Sequence, residues 1–217
     1  MRRITSRFVK GIDTSVVDLA RIVEMRERLD KISRFLKRAF GVKVEATTVC
    51  GRYAEWLRPK QAASGKVLLY LHGGAYLVGS CRTHRQLVSH IARAAGVNAL
   101  VPEYRLAPEH PFPAAVDDAV GIYRVLLDDG YDAGDIFIAG DSAGGGLTMA
   151  TLLSLRHAAL PMPAAVVLLS PFLDITASGE SATTRAAQDP WFDAKDVHIV
   201  ADNYCGEGVH PLSLIHI

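Results

Sequence analysis

Ile136-Phe137-Ile138-Ala139-Gly140-Asp141-Ser142-Ala143-Gly144-Gly145-Gly146 is the stretch that decides the fold. It opens as an apolar, β-branched strand pattern and runs into a helical pattern from Leu147 to Arg156. Between the two lies Gly-x-Ser-x-Gly. In a strand–turn–helix context this motif forms a nucleophile elbow, a sharp turn that lifts the serine Oγ off the end of the sheet. Such a turn is strained. Side chains at Gly140 and Gly144 would collide with neighbouring backbone, so the motif needs glycine there.

A second motif lies upstream, in Leu68-Leu69-Tyr70-Leu71-His72-Gly73-Gly74-Ala75-Tyr76. A buried-strand pattern ends in His-Gly-Gly, a loop that can turn its N–H groups toward one point because few side chains obstruct it. Acyl transfer needs such donors where a carbonyl oxygen becomes an oxyanion. The elbow contributes the N–H of Ala143, and the glycine loop contributes the others.

With these two motifs and a third, Tyr104-Arg105-Leu106-Ala107-Pro108-Glu109-His110-Pro111-Phe112-Pro113-Ala114-Ala115, the chain resembles the hormone-sensitive lipase family (family IV) of serine carboxylesterases, within the α/β-hydrolase fold. Order and spacing match over roughly Val67 to Pro171. The family usually has a third glycine where this chain has Ala75, which still offers its N–H. The resemblance implies hydrolysis of short-chain acyl esters without a cofactor. Ser142 would be the nucleophile, and the N–H groups of Gly74, Ala75 and Ala143 the oxyanion hole. Gly73 would be the pivot of the loop and His72 the residue that orients it by a hydrogen bond.

Periodicity places the remaining elements. Leu19, Ile22, Val23, Arg26, Leu29, Ile32, Phe35 and Leu36 follow helical spacing and predict an amphipathic helix over Val16–Ala39. Family analogy makes residues 1–40 a helical cap segment over the acyl pocket, with Met25 and Phe35 as packing residues. Val42–Val49 and Arg52–Leu57 predict a hairpin turning at Cys50-Gly51. Lys66–Leu71, Val97–Val101, Asp135–Ala139 and Ala164–Leu169 predict buried strands. Thr83–Ala95, Ala114–Asp128, Ser142–His157 and Ala194–Tyr204 predict helices. Strands alternating with helices argue an α/β, doubly wound, mostly parallel sheet over residues 41–217.

The chain has 217 residues, 49% of them hydrophobic, and a net charge of +1. That suits one ordered domain with a substantial core. It gives no general pull toward nucleic acid or a membrane. Three scattered cysteines, Cys50, Cys81 and Cys205, argue a reduced, cytoplasmic protein. The basic N-terminus lacks an apolar signal region. No apolar run approaches the ~20 residues of a membrane span. The expected partner is a small-molecule ester.

A serine hydroxyl needs a base held by a carboxylate, and in this fold both follow the serine in the chain. His157 lies fifteen residues along the elbow helix, roughly 22 Å away. His198 lies in a later helix beside Asp196 and Asp202. His210 and His216 are in terminal loop sequence. In the family the resemblance points to, acid and base come from loops after two further strands. Those strands lie beyond a segment resembling Val209-His210-Pro211-Leu212. The last residues, Ser213-Leu214-Ile215-His216-Ile217, depart from the family's pattern, as a truncated reading frame would. The expectation is a C-terminally truncated hydrolase domain lacking the last two strands, the triad acid and the triad base, with His216 as the alternative base. Its outer strand edge is then expected to aggregate or to form a homo-oligomer. Two rival readings stay open: an amidase or lactonase on the same scaffold, and a catalytically silent, ligand-binding remnant.

Other residues invite weaker readings. Gly144-Gly145-Gly146 lacks the following Gly-Lys-Ser/Thr of a phosphate cradle. His84 and His90 are six apart and share a helix face poorly, which argues against a metal pair. Asp141 reads as a brace of the elbow, Asp117 and Asp118 as exposed helix residues. Glu103-Tyr104-Arg105 reads as a structural tie for the proline-rich loop.

Overall fold

The structure is a computed structural model that describes residues 18–188 and 194–206. Its centre is a six-stranded sheet in the order β1-β2-β4-β3-β5-β6. The strands are β1 (Val42–Val49), β2 (Arg52–Pro59), β3 (Val67–Leu71), β4 (Asn98–Pro102), β5 (Ile136–Asp141) and β6 (Ala165–Leu169). The β1–β2 hairpin turns at Cys50-Gly51, and β2 is antiparallel to β4. The other pairs, β4–β3, β3–β5 and β5–β6, are parallel. The helices are α1 (Leu19–Ser33), α2 (Cys81–Ala95), α3 (Ala114–Asp128), α4 (Ala143–His157), the short α5 (Glu180–Thr184) and α6 (Ala194–Cys205).

Side-chain alternation along the central strands divides the core in two. Leu69 and Leu71 of β3, Leu100 of β4, and Ile136 and Ile138 of β5 pack with Ile122 and Leu126 of α3 and Leu147 and Leu155 of α4. Leu68, Tyr70, Ala99, Val101 and Ala139 point to the other face, against Cys81, Val88 and Ala92 of α2. Because helices cover both faces, β3 is buried at all five positions. This is the doubly wound arrangement the alternating pattern predicts.

Three local expectations are corrected. The first helix is shorter than Val16–Ala39: Val16 lies outside the described residues, and α1 ends at Ser33, whose Oγ donates to Asp30 O at 2.8 Å. Of its apolar stripe only Ile22 is buried. Phe35, expected to pack, is 85% exposed. β6 is not a buried strand: Val167 and Leu169 share the sheet face that α2 covers over β2 and β4, and they are exposed because among the described residues no helix lies over that face at β6. Asp118 is not an exposed helix residue. It is buried and accepts from Arg105 N at 2.8 Å and from the Arg105 guanidinium at 2.8 and 3.0 Å, with Arg52 Nε at 3.9 Å. Asp117, one position away on the helix, is exposed as expected.

Arg105 leads into the proline-rich loop, so the Asp118 carboxylate fastens that loop to α3. Removing the carboxylate leaves the Arg105 backbone N–H and its partly exposed guanidinium without their acceptor. Asp118→Ala is therefore expected to lower the unfolding free energy by about 2 kcal/mol, the size of hydrogen bonds to a charged group, read from urea midpoints at constant slope. A loss under about 1 kcal/mol would place the cluster with ordinary surface ion pairs.

Candidate active site

Ser142 stands between β5 and α4 with φ 51° and ψ −119°. This is a region where non-glycine residues carry strain. The turn is held from outside: Ser142 N donates to Leu169 O at 3.0 Å, and Ser142 O accepts from Phe172 N at 2.8 Å and Gly146 N at 3.1 Å. The end of β6 thus pins the elbow. At Gly144 a Cβ would fall on Leu71 O and stand 2.6 Å from His72 O, so the first turn of α4 can sit against the glycine loop only without a side chain there. Ser142 Oγ has no side-chain capping bond to α4.

The glycine loop follows β3, next to the elbow in the sheet. Gly74 has φ 126°, and a Cβ there would overlap Val78 O. Leu77 N and Val78 N both donate to Gly74 O, at 3.0 and 2.9 Å, which closes the loop on itself. Ala75 and Tyr76 sit at φ 56° and 58°. The position where the family usually has glycine is therefore a left-handed one, which alanine occupies at some cost in strain. Among the described residues no protein acceptor takes the N–H of Gly74, Ala75 or Ala143. Ala143 begins α4, so its N–H is one of the helix's unsatisfied donors and lies at the positive end of the helix dipole.

Loop and elbow are joined by one carboxylate. Asp141 Oδ1 accepts from Gly73 N at 3.1 Å and from Tyr70 OH at 2.9 Å, and its Oδ2 lies 3.4 Å from His84 Nε2. Burial alone would raise the Asp141 carboxyl. The bonds from His84, Tyr70 and Gly73 outweigh it and hold the group below the usual range. His84, which sequence reading weighs only as a metal ligand, is thus a partner of the elbow.

His72 is fully buried. Its Nδ1 donates to Gly73 O at 2.9 Å, so the neutral ring carries its proton there. Nε2 has no partner among the described residues. The ring stacks on Tyr104 at 4.3 Å and His84 at 5.3 Å. Tyr104 OH donates to His72 O at 2.6 Å. Burial, with the neighbouring His84 adding to it, pushes the His72 pKa down to about 3.

Sequence reading passes over two further supports. Arg26, placed on the apolar stripe of α1, donates from Nε to Leu77 O at 2.7 Å and from Nη2 to Ala107 O at 2.8 Å. It also pairs with Glu109 at 2.6 and 2.9 Å. It fastens the first helix to both loops beside Ser142. An arginine at a stripe position is the one signal that could have exposed it. Tyr204 of α6 stacks on Tyr76 at 3.8 Å, and Tyr204 O accepts from Phe112 N at 2.7 Å. Of the candidate bases, His157 closes α4 at the end away from Ser142 and His198 is exposed on α6. His210 and His216 lie outside the described residues.

Comparison with known proteins agrees with this architecture. A family model described as alpha/beta hydrolase fold matches residues 68–214. An acetyl-hydrolase of Streptomyces hygroscopicus is 46% identical over 171 residues, which is 78% of this chain and 57% of that protein. An esterase of Acinetobacter venetianus is 31% identical over 187 residues, 86% of this chain and 61% of its own length. A crystal structure of an esterase from the bacterial hormone-sensitive lipase family superposes with a TM-score of 0.88 at 41% identity, covering 98% of this chain and 71% of that one. The chain belongs to the α/β-hydrolase fold family, in its hormone-sensitive lipase branch. It spans about half to three-fifths of the length of the curated relatives it matches.

Two measurements check the supports. A histidine held neutral by burial takes up its proton only in the unfolded chain. Its contribution is therefore complete above the ordinary value of 6.5 and is lost as pH falls from there toward about 3. The slope approaches about 1.4 kcal/mol per pH unit. Asp141 loses its own contribution lower, as pH falls through and below its ordinary value of 3.8. Urea melts between pH 6.5 and 4.5 should show the His72 slope, and His72→Asn should flatten it; equal slopes would mean that His72 is not held neutral. Arg26→Ala should speed amide deuterium exchange in 73–79 at least about fivefold while leaving β5 unchanged, since an open loop exchanges by local unfolding. Uniform acceleration would mean that Arg26 acts on global stability alone.

Proposed function

We propose that this chain carries the acyl-transfer half of a serine carboxylesterase for short-chain esters. In this reading Ser142 Oγ attacks the ester carbonyl carbon, the C–O bond to the alcohol breaks, the hydroxyl proton of Ser142 ends on the departing alcohol through solvent water, and an acyl-enzyme forms on Ser142. The N–H groups of Gly74, Ala75 and Ala143 hold the negative charge on the carbonyl oxygen in the tetrahedral state, where preformed donors matter most. Water then attacks the acyl-enzyme and releases the acid. The observation that carries the reading is the strained Ser142 backbone at a strand–helix junction, tied through Asp141 to a loop in which the Gly74 and Ala75 N–H groups have no protein acceptor among the described residues. The names of the relatives, acetyl-hydrolase and esterase, support small acyl groups.

We further propose that α1 and the segment after it form a cap beside this site, with Arg26 as its fastening. Among the described residues no histidine is hydrogen-bonded to Ser142, and we propose that the chain lacks the base of the triad. The chain is therefore expected to be acylated slowly and to deacylate more slowly still. Removing one member of a triad leaves about 10³–10⁴-fold catalysis over water, from the oxyanion donors and binding.

Incubation with p-nitrophenyl acetate followed by intact-mass and peptide analysis tests this. The expected result is one acetyl group per chain on the peptide holding Ser142, absent in Ser142→Ala. Steady turnover should differ only a few-fold between the two chains, because the triad acts as a unit. Acetylation spread over lysines and unchanged in Ser142→Ala would overturn the nucleophile. Rapid turnover lost in Ser142→Ala would overturn the claim of a missing base.

A further inference from the structure

The segment between α1 and β1, Arg34-Phe35-Leu36-Lys37-Arg38-Ala39-Phe40, holds three cations and no acidic residue. Its large apolar side chains are not in the core. Phe35 and Phe40 are each 85% exposed, and Leu36 is 51% exposed. Arg34, Lys37 and Arg38 are exposed too, and among the described residues none of them joins an ion pair. The segment is nonetheless fixed to the fold. Phe35 N and Leu36 N donate to Ile32 O and Ser33 O, at 3.1 and 3.0 Å. Buried Ala39 donates to Ser89 Oγ of α2 at 2.8 Å. Gly41 O accepts from Lys60 N at 3.2 Å. The chain is held at both ends while its two aromatic rings project among the cations.

We infer that this segment is a peripheral docking site for an anionic lipid bilayer. Aromatic and aliphatic side chains interleaved with Lys and Arg suit the headgroup boundary, where rings enter the acyl region and cations meet lipid phosphates. Charge rejects the other occupants. In a two-fold dimer through this patch, the three cations would face the same three on the second copy. Residues 1–17 carry Arg2, Arg3, Arg7 and Lys10 against one acid, Asp13, and would be repelled as well. No described helix is long and apolar enough to cross a membrane, so the contact is with the surface. The net charge of +1 conceals the site because acids elsewhere balance it. The inference does not depend on the chemistry at Ser142.

Co-sedimentation of the purified chain with phosphatidylcholine vesicles, with and without phosphatidylglycerol, tests it. The chain should bind the anionic vesicles, and binding should fall with added salt as surface charges are screened. Each cation near an anionic surface strengthens binding about fivefold, so the triple Arg34→Gln, Lys37→Gln, Arg38→Gln variant should bind about a hundredfold more weakly. The double Phe35→Ser, Phe40→Ser variant should lose at least about tenfold. A control triple at exposed cations remote from the segment, Arg124→Gln, Arg156→Gln, Arg185→Gln, should bind like the parent. Circular dichroism melts confirm that each variant is folded, as expected for exposed positions. No binding to anionic vesicles would overturn the inference, as would equal binding to neutral ones or a loss confined to the control triple. A dimer in sedimentation velocity that dissociates in the double variant would assign the patch to a second copy and overturn it as well.

Discussion

The arrangement around Ser142 depends on one carboxylate. Asp141 is the last residue of β5, and its Oδ1 receives the N–H of Gly73 just beyond β3. Parallel pairing of β3 with β5 brings the two strand ends side by side, with Leu71 opposite Gly140. Pairing alone would leave the loop after β3 free to choose its path. The Asp141 bond chooses it, and Tyr70 and His84 hold the carboxylate ionised in a half-buried place. The Gly-x-Ser-x-Gly motif thus does two jobs in adjacent residues: Ser142 is presented, and Asp141 ties down the loop with the N–H donors.

Around that tie the supports are layered. His72 is locked as a neutral ring between Tyr104 and His84, and its carbonyl takes the Tyr104 hydroxyl. Arg26 reaches from α1 to Leu77 O and Ala107 O, while Tyr204 of α6 stacks on Tyr76. Elements far apart in sequence converge on one loop of seven residues. Such a loop can leave the Gly74 and Ala75 N–H groups without an acceptor among the described residues because its other polar groups are bonded elsewhere. The strain at Ser142, Ala75 and Tyr76 persists for the same reason: the neighbouring contacts over-determine the backbone.

Much of the fold was legible in the sequence because its signals are local. The bounds of α3 and the hairpin turn at Cys50-Gly51 follow from periodicity and turn residues. The order of strands and helices follows the alternation that defines a doubly wound sheet. The elbow and the glycine loop were legible because close backbone approach leaves glycine as the only residue that fits, as at Gly144 against Leu71 O. Errors arose where a residue's environment is set from far away. Asp118 looked like a solvated helix residue, yet Arg105, thirteen positions earlier, buries it. Phe35 reads as a packing residue of the first helix, yet the helix ends at Ser33 and the ring is exposed.

The sequence by itself determined the class of fold, the serine at the strand–helix turn and the loop that faces it. Each rests on steric rules acting within a few residues. Only the tertiary structure decided which polar groups bind which. Arg26 meets Glu109 across 83 positions, His84 meets Asp141, and the His72 Nε2 is left without a partner among the described residues. Those pairings come from how strands order themselves and where helices dock, which no local pattern encodes. The exposed cations and rings of 34–40 follow the same rule. Their spacing reads as a helix, and only the packed fold shows that the described residues leave this face uncovered.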